Sequence, residues 1–146
     1  MEIEIRIDAE RREPKVIVLT DKMTEEVSSI IQKLSEEQQT VIAGFRDDIL
    51  EILDPGDIYR VYASNGKVFA ETSHGEYGLR LRLYETEQRL DSHVFVRISN
   101  SEIINLKKVR GFDLSFTGTI CVMLSNGTPT YVSRRYVAKI KQVLGL

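Results

Sequence analysis

From residue 40 to its C-terminus the chain consists of short apolar, β-branched segments separated by turn residues. Glycine follows a polar residue in these turns, which are Asn65-Gly66, His74-Gly75, Thr117-Gly118 and Asn126-Gly127. Glycine supplies the positive φ that a tight hairpin turn requires. Short strands with turn signals roughly every 8–12 residues are typical of antiparallel β structure. The pattern therefore predicts a mainly β fold with a few helices.

Ten strands and two helices are predicted in this region. The strands are Thr40–Phe45, Asp48–Leu53, Ile58–Ala63, Lys67–Thr72, Glu76–Leu81, Val94–Ile98, Glu102–Asn105, Val109–Leu114, Thr119–Leu124 and Pro129–Val132. A short helix over Arg82–Leu90 interrupts them. A terminal helix begins after Ser133 as its N-cap and stops at Gly145, a residue typical of helix ends.

The N-terminal segment has a different pattern. Three isoleucines alternate with charged residues and predict a half-buried strand over residues 2–8, and Lys15–Leu19 predicts a second strand. Thr24 then caps a helix with an apolar i, i+3, i+4, i+7 stripe, which ends at Glu36–Gln39. We expect a βαβ-like extension over residues 1–41 that covers the core or forms a dimer interface.

Charge is distributed unevenly along the chain. Residues 1–53 carry 7 Lys and Arg against 13 Asp and Glu, whereas residues 92–146 carry 8 against 2. A cationic C-terminal third that follows an acidic N-terminal segment is expected of a protein in which one end contacts phosphate groups. An anionic lipid surface or an acidic protein partner would favour the same asymmetry.

Other classes of function have little support in the sequence. No apolar run approaches the roughly 18 residues of a membrane span, and no secretory signal is visible, so we expect a cytoplasmic protein. Cys121 is the single cysteine and lies in an apolar run, which indicates a buried side chain. The two histidines, His74 and His93, belong to no metal-spaced cluster. We therefore expect no metal, no cofactor and no catalytic residues.

Three segments carry a resemblance to a known family. The stretch Phe95–Val109, FVRISNSEIINLKKV, resembles the central signature of LytTR-type DNA-binding domains. The segment Val132–Ile140, in which Ser-Arg-Arg opens the last helix, resembles the second signature of these domains. Leu53–Lys67 is similar to the segment that starts the domain. The resemblance covers roughly residues 42–146, which we predict to form the DNA-binding domain.

The resemblance implies packed antiparallel sheets whose loops enter successive major grooves of a DNA repeat. It implies sequence-specific binding of double-stranded DNA for transcription regulation, with a homodimer on a repeated promoter site. Residues 1–40 are too few for a receiver domain of about a hundred residues. The chain is therefore similar to the short, stand-alone bacterial regulators, which are often encoded beside a small membrane protein, a second partner to consider.

Base contacts are expected from two loops and the start of the last helix. Arg134 and Arg135 lie in the first helical turn, where the helix dipole disfavours cations, so a phosphate or base edge is the missing partner. The resemblance assigns base contacts to Arg135 and Asn100, and more loosely to Asn65 and Lys67. A solvated surface arginine and an ordinary turn asparagine are the alternatives.

Phosphate contacts are expected from residues near these positions. They are Arg134, Lys107, Lys108, Ser101, Ser133 and Tyr136. Asn105 is expected to bond a neighbouring loop, and Arg97 to pair with an acidic strand neighbour instead of DNA. Glu102 follows the loop at Asn100, where a carboxylate close to DNA would repel phosphate.

An alternative function remains open at the level of sequence. The basic face could dock on an acidic partner, such as the cytosolic end of a membrane protein, without any base contact. An enzyme has the least support, because no triad, metal site or phosphate-binding glycine loop is present.

Overall fold

A computed structural model of the chain describes residues 1–35, 41–115 and 117–146. The chain divides into two compact units, 1–37 and 38–146. The N-terminal unit contains one helix, α1 (Glu25–Ser35). Thr24 caps it as predicted, since its Oγ1 accepts a hydrogen bond from the Val27 amide at 3.3 Å. The predicted helix end at Glu36–Gln39 lies outside the described residues.

The two strands predicted before α1 are absent, so the βαβ-like character of the extension was wrong. Residues 1–24 form no strand, and Ile3, Ile5 and Ile7 are more than four-fifths exposed, at 82%, 84% and 95%. A strand is stable only when its backbone groups pair with a neighbouring strand. The alternation of isoleucines and charged residues would give a strand one apolar face, but it does not provide the neighbouring strand with which to pair.

The second unit contains all ten predicted strands, each within two residues of its expected bounds. They are β1 (Ile42–Arg46), β2 (Ile49–Leu53), β3 (Ile58–Ser64), β4 (Lys67–Thr72), β5 (Gly75–Leu79), β6 (Phe95–Ser99), β7 (Glu102–Asn105), β8 (Val109–Asp113), β9 (Ile120–Leu124) and β10 (Pro129–Val132). This unit also contains two α-helices: α2 (Leu83–Arg89) lies between β5 and β6, and α3 (Arg134–Val143) follows β10. Thr40, predicted to start the first strand, lies outside the described residues.

The strands form two antiparallel sheets. A seven-stranded sheet has the order β2-β1-β5-β4-β3-β7-β6, and a three-stranded sheet has the order β10-β9-β8. Several pairs of consecutive strands are joined by tight turns, as at Asn65-Gly66, where both residues have positive φ, 53° and 75°. This geometry is that of a two-residue hairpin turn, which the Asn-Gly pair predicted.

Two hydrophobic cores share the β6–β7 hairpin. Phe95 and Ile103 point into the first core, together with Leu83 of α2. Val96, Ile98 and Ile104 point to the opposite side, into a second core built with β9, β10 and α3. Because side chains alternate along a strand, one hairpin serves both cores. The turn at its end therefore lies where the large sheet meets α3.

A polar network centred on Arg60 joins the two sheets. Arg60 of β3 lies between two carboxylates, with its Nε 2.6 Å from Glu71 Oε2 and its Nη1 2.9 Å from Glu102 Oε1. Across from it, Thr130 of β10 donates to Glu102, and Thr128 Oγ1 donates to Glu71 Oε1 at 2.8 Å. The carboxylates therefore connect β4 and β7 of the large sheet to the β9–β10 hairpin.

Candidate nucleic-acid interface

The turn between β6 and β7 is held from several sides. Ser99 pairs with Glu102 across the hairpin, which leaves Asn100 and Ser101 as the two turn residues. The Ser101 amide donates to Ser99 Oγ at 3.2 Å. Arg97 Nη1 donates to the Asn100 carbonyl oxygen at 2.7 Å. The backbone of Asn100 is thus fixed by bonds on both sides of it.

Arg97 has the kind of partner that the sequence predicted. Its Nε lies 2.6 Å from Glu87 Oε2, so its charge is satisfied within the protein. The partner lies on α2, whereas we expected it on a neighbouring strand. Arg97 therefore links α2 to the backbone of Asn100 in the turn.

The start of α3 meets this turn directly. Ser133 is the N-cap residue as predicted, but its hydroxyl makes no capping bond. Its backbone amide donates to the Ile98 carbonyl at 2.9 Å, which ties the helix start to β6. Arg135 Nη1 and the Tyr136 hydroxyl then both donate to Asn100 Oδ1, at 3.4 Å and 3.2 Å. The two signature segments are therefore in contact.

The β3–β4 turn lies at the same end of the sheet. The Ala63 amide donates to the Ser101 carbonyl at 2.8 Å, which places the end of β3 beside the β6–β7 turn. Asn65 and Lys67 follow, and both are exposed. Neither side chain has a partner among the residues that the structure describes. They are free to contact a ligand approaching this end.

Arg134 is exposed beside the loop that precedes β9. Its guanidinium Nε lies 3.6 Å from the position that a Cβ would occupy at Gly118. Within residues 1–35, 41–115 and 117–146, no carboxylate pairs with it. Arg134 and Arg135 thus give two unneutralised cations on the first turn of α3, where the helix dipole makes them unfavourable.

Lys107 and Lys108 do not lie with the other predicted residues. They follow β7, at the end opposite the β6–β7 turn, and the four residues of β7 separate the two ends by about 14 Å. Lys108 Nζ lies 5.3 Å from the centroid of the Tyr59 ring. Asn105, expected to bond a neighbouring loop, bonds instead the first residue of a strand: its Nδ2 donates to the carbonyl of Ile58 in β3 at 2.8 Å.

The carboxylate of Glu102, which would repel phosphate if it lay close to DNA, is bonded within the protein. Its side chain is 11% exposed and accepts hydrogen bonds from Arg60 and Thr130. Glu102 of β7 pairs with Tyr62 of β3, one residue before Ala63. The other carboxylate of the cationic third, Asp113, accepts two hydrogen bonds from Ser115, which lower its pKa.

Two side-chain contacts were not predicted from the sequence. The Tyr136 hydroxyl donates to Asn100 Oδ1, while its contact with a phosphate stays a prediction. Arg60, which secures Glu102, was not singled out at all. Their partners lie 36 and 42 residues away along the chain, and no local pattern signals such pairs. The signal that was available is that Tyr136 follows the two arginines on a helix that begins with a serine.

The arrangement of the helices restricts how the protein could meet a groove. Along the described residues each helix is separated from the next by strands, so no two consecutive helices form a helix-turn-helix. The described helices are also all too short or too polar to span a bilayer. What the described chain offers instead is one sheet end with two turns and a helix start.

Comparison with known proteins points to one family. The family model for the LytTr DNA-binding domain matches residues 48–145. Similar proteins include uncharacterised HTH-type transcriptional regulators of Staphylococcus aureus strains MSSA476 and MW2, each 33% identical over 100% of this chain and 99% of the relative. Among solved structures, the LytTr DNA-binding domain of a methyl-accepting/DNA response regulator from Bacillus cereus matches with a TM-score of 0.70. That match is 20% identical and covers 73% of this chain and 97% of the other. The sequence signatures, the two-sheet fold and the family match agree, and the chain belongs to the LytTR DNA-binding domain family.

Proposed function

We propose that this protein is a transcription regulator that binds double-stranded DNA sequence-specifically through one end of its second unit. The observation that carries the proposal is the contact between Asn100 and Arg135. These residues lie on different structural layers, and the fold brings them together at an exposed surface. Asn65 and Lys67 lie on the adjacent turn. An amide and a guanidinium are the side-chain groups that most often contact base edges in the major groove.

In the proposal, residues that contact DNA phosphates lie around Asn100 and Arg135. Arg134 lies on the same helix turn as Arg135, and Ser101 and Ser133 flank Asn100 and Arg134 with exposed or half-exposed hydroxyls. The free amides of the first turn of α3 add donors for an anion. Lys107 and Lys108 follow the far end of β7. They would attract DNA phosphates whatever the base sequence.

Selection from a pool of random duplexes tests this function. We expect the full-length protein to enrich a defined sequence that includes a repeated element, and to hold it against excess nonspecific DNA. Affinity should fall steeply with salt, because each phosphate contact releases about one counterion. The salt slope and the competitor experiment together separate base-specific from purely electrostatic binding.

The same selection distinguishes the alternative of a protein-interaction module. Failure to enrich any sequence, with weak binding that is equal for all duplexes, would contradict sequence-specific DNA binding. The basic face would then be better explained by an acidic protein surface, such as the cytosolic end of a small membrane protein. Competition by a polyanionic peptide but not by a neutral peptide would support that explanation.

We further propose that two copies act together on the repeated site. The exposed isoleucines Ile3, Ile5 and Ile7 alternate with charged residues, so they would share one buried face if this segment paired as a strand with a second copy. We expect sedimentation of the full chain to give a dimer mass. Replacement of all three isoleucines by serine should return the mass of a monomer, whereas a monomer for the wild type at every concentration would contradict the proposal.

A further inference from the structure

The side-chain amide of Asn100 is not free both to donate a hydrogen bond to a ligand and to accept one from it. Its Oδ1 accepts from the Tyr136 hydroxyl at 3.2 Å and from Arg135 Nη1 at 3.4 Å. A guanidinium only donates, so the atom that faces it must be the amide oxygen and not the nitrogen. An amide oxygen has two lone pairs, and these two donors use both of them.

The nitrogen of the same amide has no partner in the described part of the chain. Asn100 is exposed, and its carbonyl is already fixed by Arg97 at 2.7 Å. The turn therefore leaves the two N–H donors of Nδ2 without a protein partner within the described ranges, while the acceptor Oδ1 is engaged. Arg135 adds further donors at the same place, because a guanidinium with one N–H engaged retains four.

We propose that Asn100 is a donor-only base contact, with Tyr136 as the positioning residue that keeps its amide oxygen occupied. The proposal rests on the DNA-binding function proposed above. A free asparagine pairs with adenine by accepting from N6 and donating to N7. With Oδ1 occupied, the N6 amino group of adenine finds no acceptor. Guanine, which presents O6 and N7, and thymine, which presents O4, both match a donor-only group.

Cytosine is the base that this arrangement excludes most strongly. Its major-groove edge presents the N4 amino group, and two donors would face each other. We therefore expect guanine or thymine at the base that Asn100 contacts, adenine at a lower level, and cytosine disfavoured by roughly ten-fold or more. The combined Asn100 and Arg135 surface is thus suited to an acceptor-rich run, such as guanine next to guanine or thymine.

Base preference in three variants tests the proposal. Selection with N100A identifies the position that Asn100 contacts, as the one whose preference disappears. Tyr136→Phe keeps the half-buried ring and removes the hydroxyl, which frees one lone pair of Oδ1. We expect adenine to gain several-fold relative to guanine at that position and no other position to change. Tyr84→Phe is the matched control, since Tyr84 is 54% exposed on α2, and it should change nothing.

A measurement on the DNA-free protein tests whether Tyr136 restricts the motion of the Asn100 carboxamide. We expect ¹⁵N relaxation to show the Asn100 carboxamide ordered in the wild type and more mobile in Tyr136→Phe. Asn65, exposed and without a partner among the described residues, gives the reference for a mobile carboxamide. Equal mobility of Asn100 and Asn65 in the wild type would overturn the proposal and leave DNA binding untouched.

The selection outcomes separate this proposal from the proposed function. A wild-type preference for adenine at the Asn100-dependent position would overturn donor-only contact but leave sequence-specific binding standing. Specific binding with no Asn100-dependent position would remove Asn100 from the interface and overturn the proposal as well. Absence of any specific binding by the wild type would overturn both.

Discussion

Replacing Arg60 by leucine is expected to destabilise the protein by about 3 kcal/mol at neutral pH. The change leaves Glu71 and Glu102, with side chains only 18% and 11% exposed, without their shared cation. Removing one partner of a buried ion pair costs about 3–5 kcal/mol, because the remaining charge is left uncompensated. The lower end applies here, since Thr128 and Thr130 still donate to the two carboxylates.

Urea unfolding of the wild type and two variants measures the effect. Arg110→Leu is the matched control: Arg110 is exposed on β8, and a surface substitution of this kind changes the free energy of unfolding by less than about 0.5 kcal/mol. A loss below about 1 kcal/mol for Arg60→Leu would contradict the view that the network secures the two sheets to each other.

The difference between wild type and Arg60→Leu should narrow in acid. Burial by itself raises the pKa of Glu71, but hydrogen bonds from Arg60, Thr128 and Asn126 outweigh it and hold the pKa below its ordinary value. In the wild type this contribution to stability is therefore present above about pH 4.5 and is lost as the pH falls through the lowered pKa. In the variant, burial without the hydrogen bond from Arg60 raises the pKa of Glu71 relative to the wild type. The folded variant then gains protons, and relative stability, as the pH falls from 7.

Local patterns predicted the strands of the second unit well. Short β-branched apolar segments and the Asn-Gly, His-Gly and Thr-Gly pairs indicate both a strand and its turn within a few residues, so the ten elements needed no long-range information. The alternation over residues 2–8 failed to predict a strand at Ile3, Ile5 and Ile7, because a strand also needs a partner that the local sequence does not contain. Pattern reasoning thus predicts which face is apolar but not whether anything covers it.

In the candidate site, too, local sequence predicted some contacts and missed those that depend on distant partners. Asn105 was correctly expected to bond within the protein, because an asparagine before a basic turn has few ways to satisfy its amide once buried. The partners of Glu102 were not predicted, because Arg60 and Thr130 lie 42 and 28 residues away along the chain. Lys107 and Lys108 were grouped with Asn100 by their closeness in sequence. The four-residue strand between them carries them to the other end of the sheet.

Replacing Arg135 by alanine is expected to have the largest effect on DNA binding. A bidentate arginine–guanine contact contributes about 1–3 kcal/mol of discrimination against a wrong base, so specific affinity should fall by roughly 10- to 100-fold. Binding to nonspecific duplex should change much less. Titration of labelled specific and nonspecific duplexes at two salt concentrations measures both quantities.

Two cations of the same helix serve as controls for charge alone. Lys141 lies in the last turn of α3, and Lys141→Ala should leave discrimination unchanged. Arg134→Ala should weaken binding to all sequences about equally and lower the salt slope by about one, as expected for a phosphate contact. Equal loss of specific and nonspecific affinity in Arg135→Ala would assign Arg135 to the phosphates and contradict base contact.

The contact between Arg135 and Asn100 makes the effects of the two residues interdependent. Arg135→Ala removes a direct base contact and also one of the two donors that hold Asn100 Oδ1. Residues that share a hydrogen-bond network usually show coupling of about 0.5–3 kcal/mol in a double-mutant cycle. The double variant R135A/N100A should therefore lose less than the sum of the single losses. Strict additivity would mean that the two side chains meet the DNA independently, and that the contact seen between them does not persist in the complex.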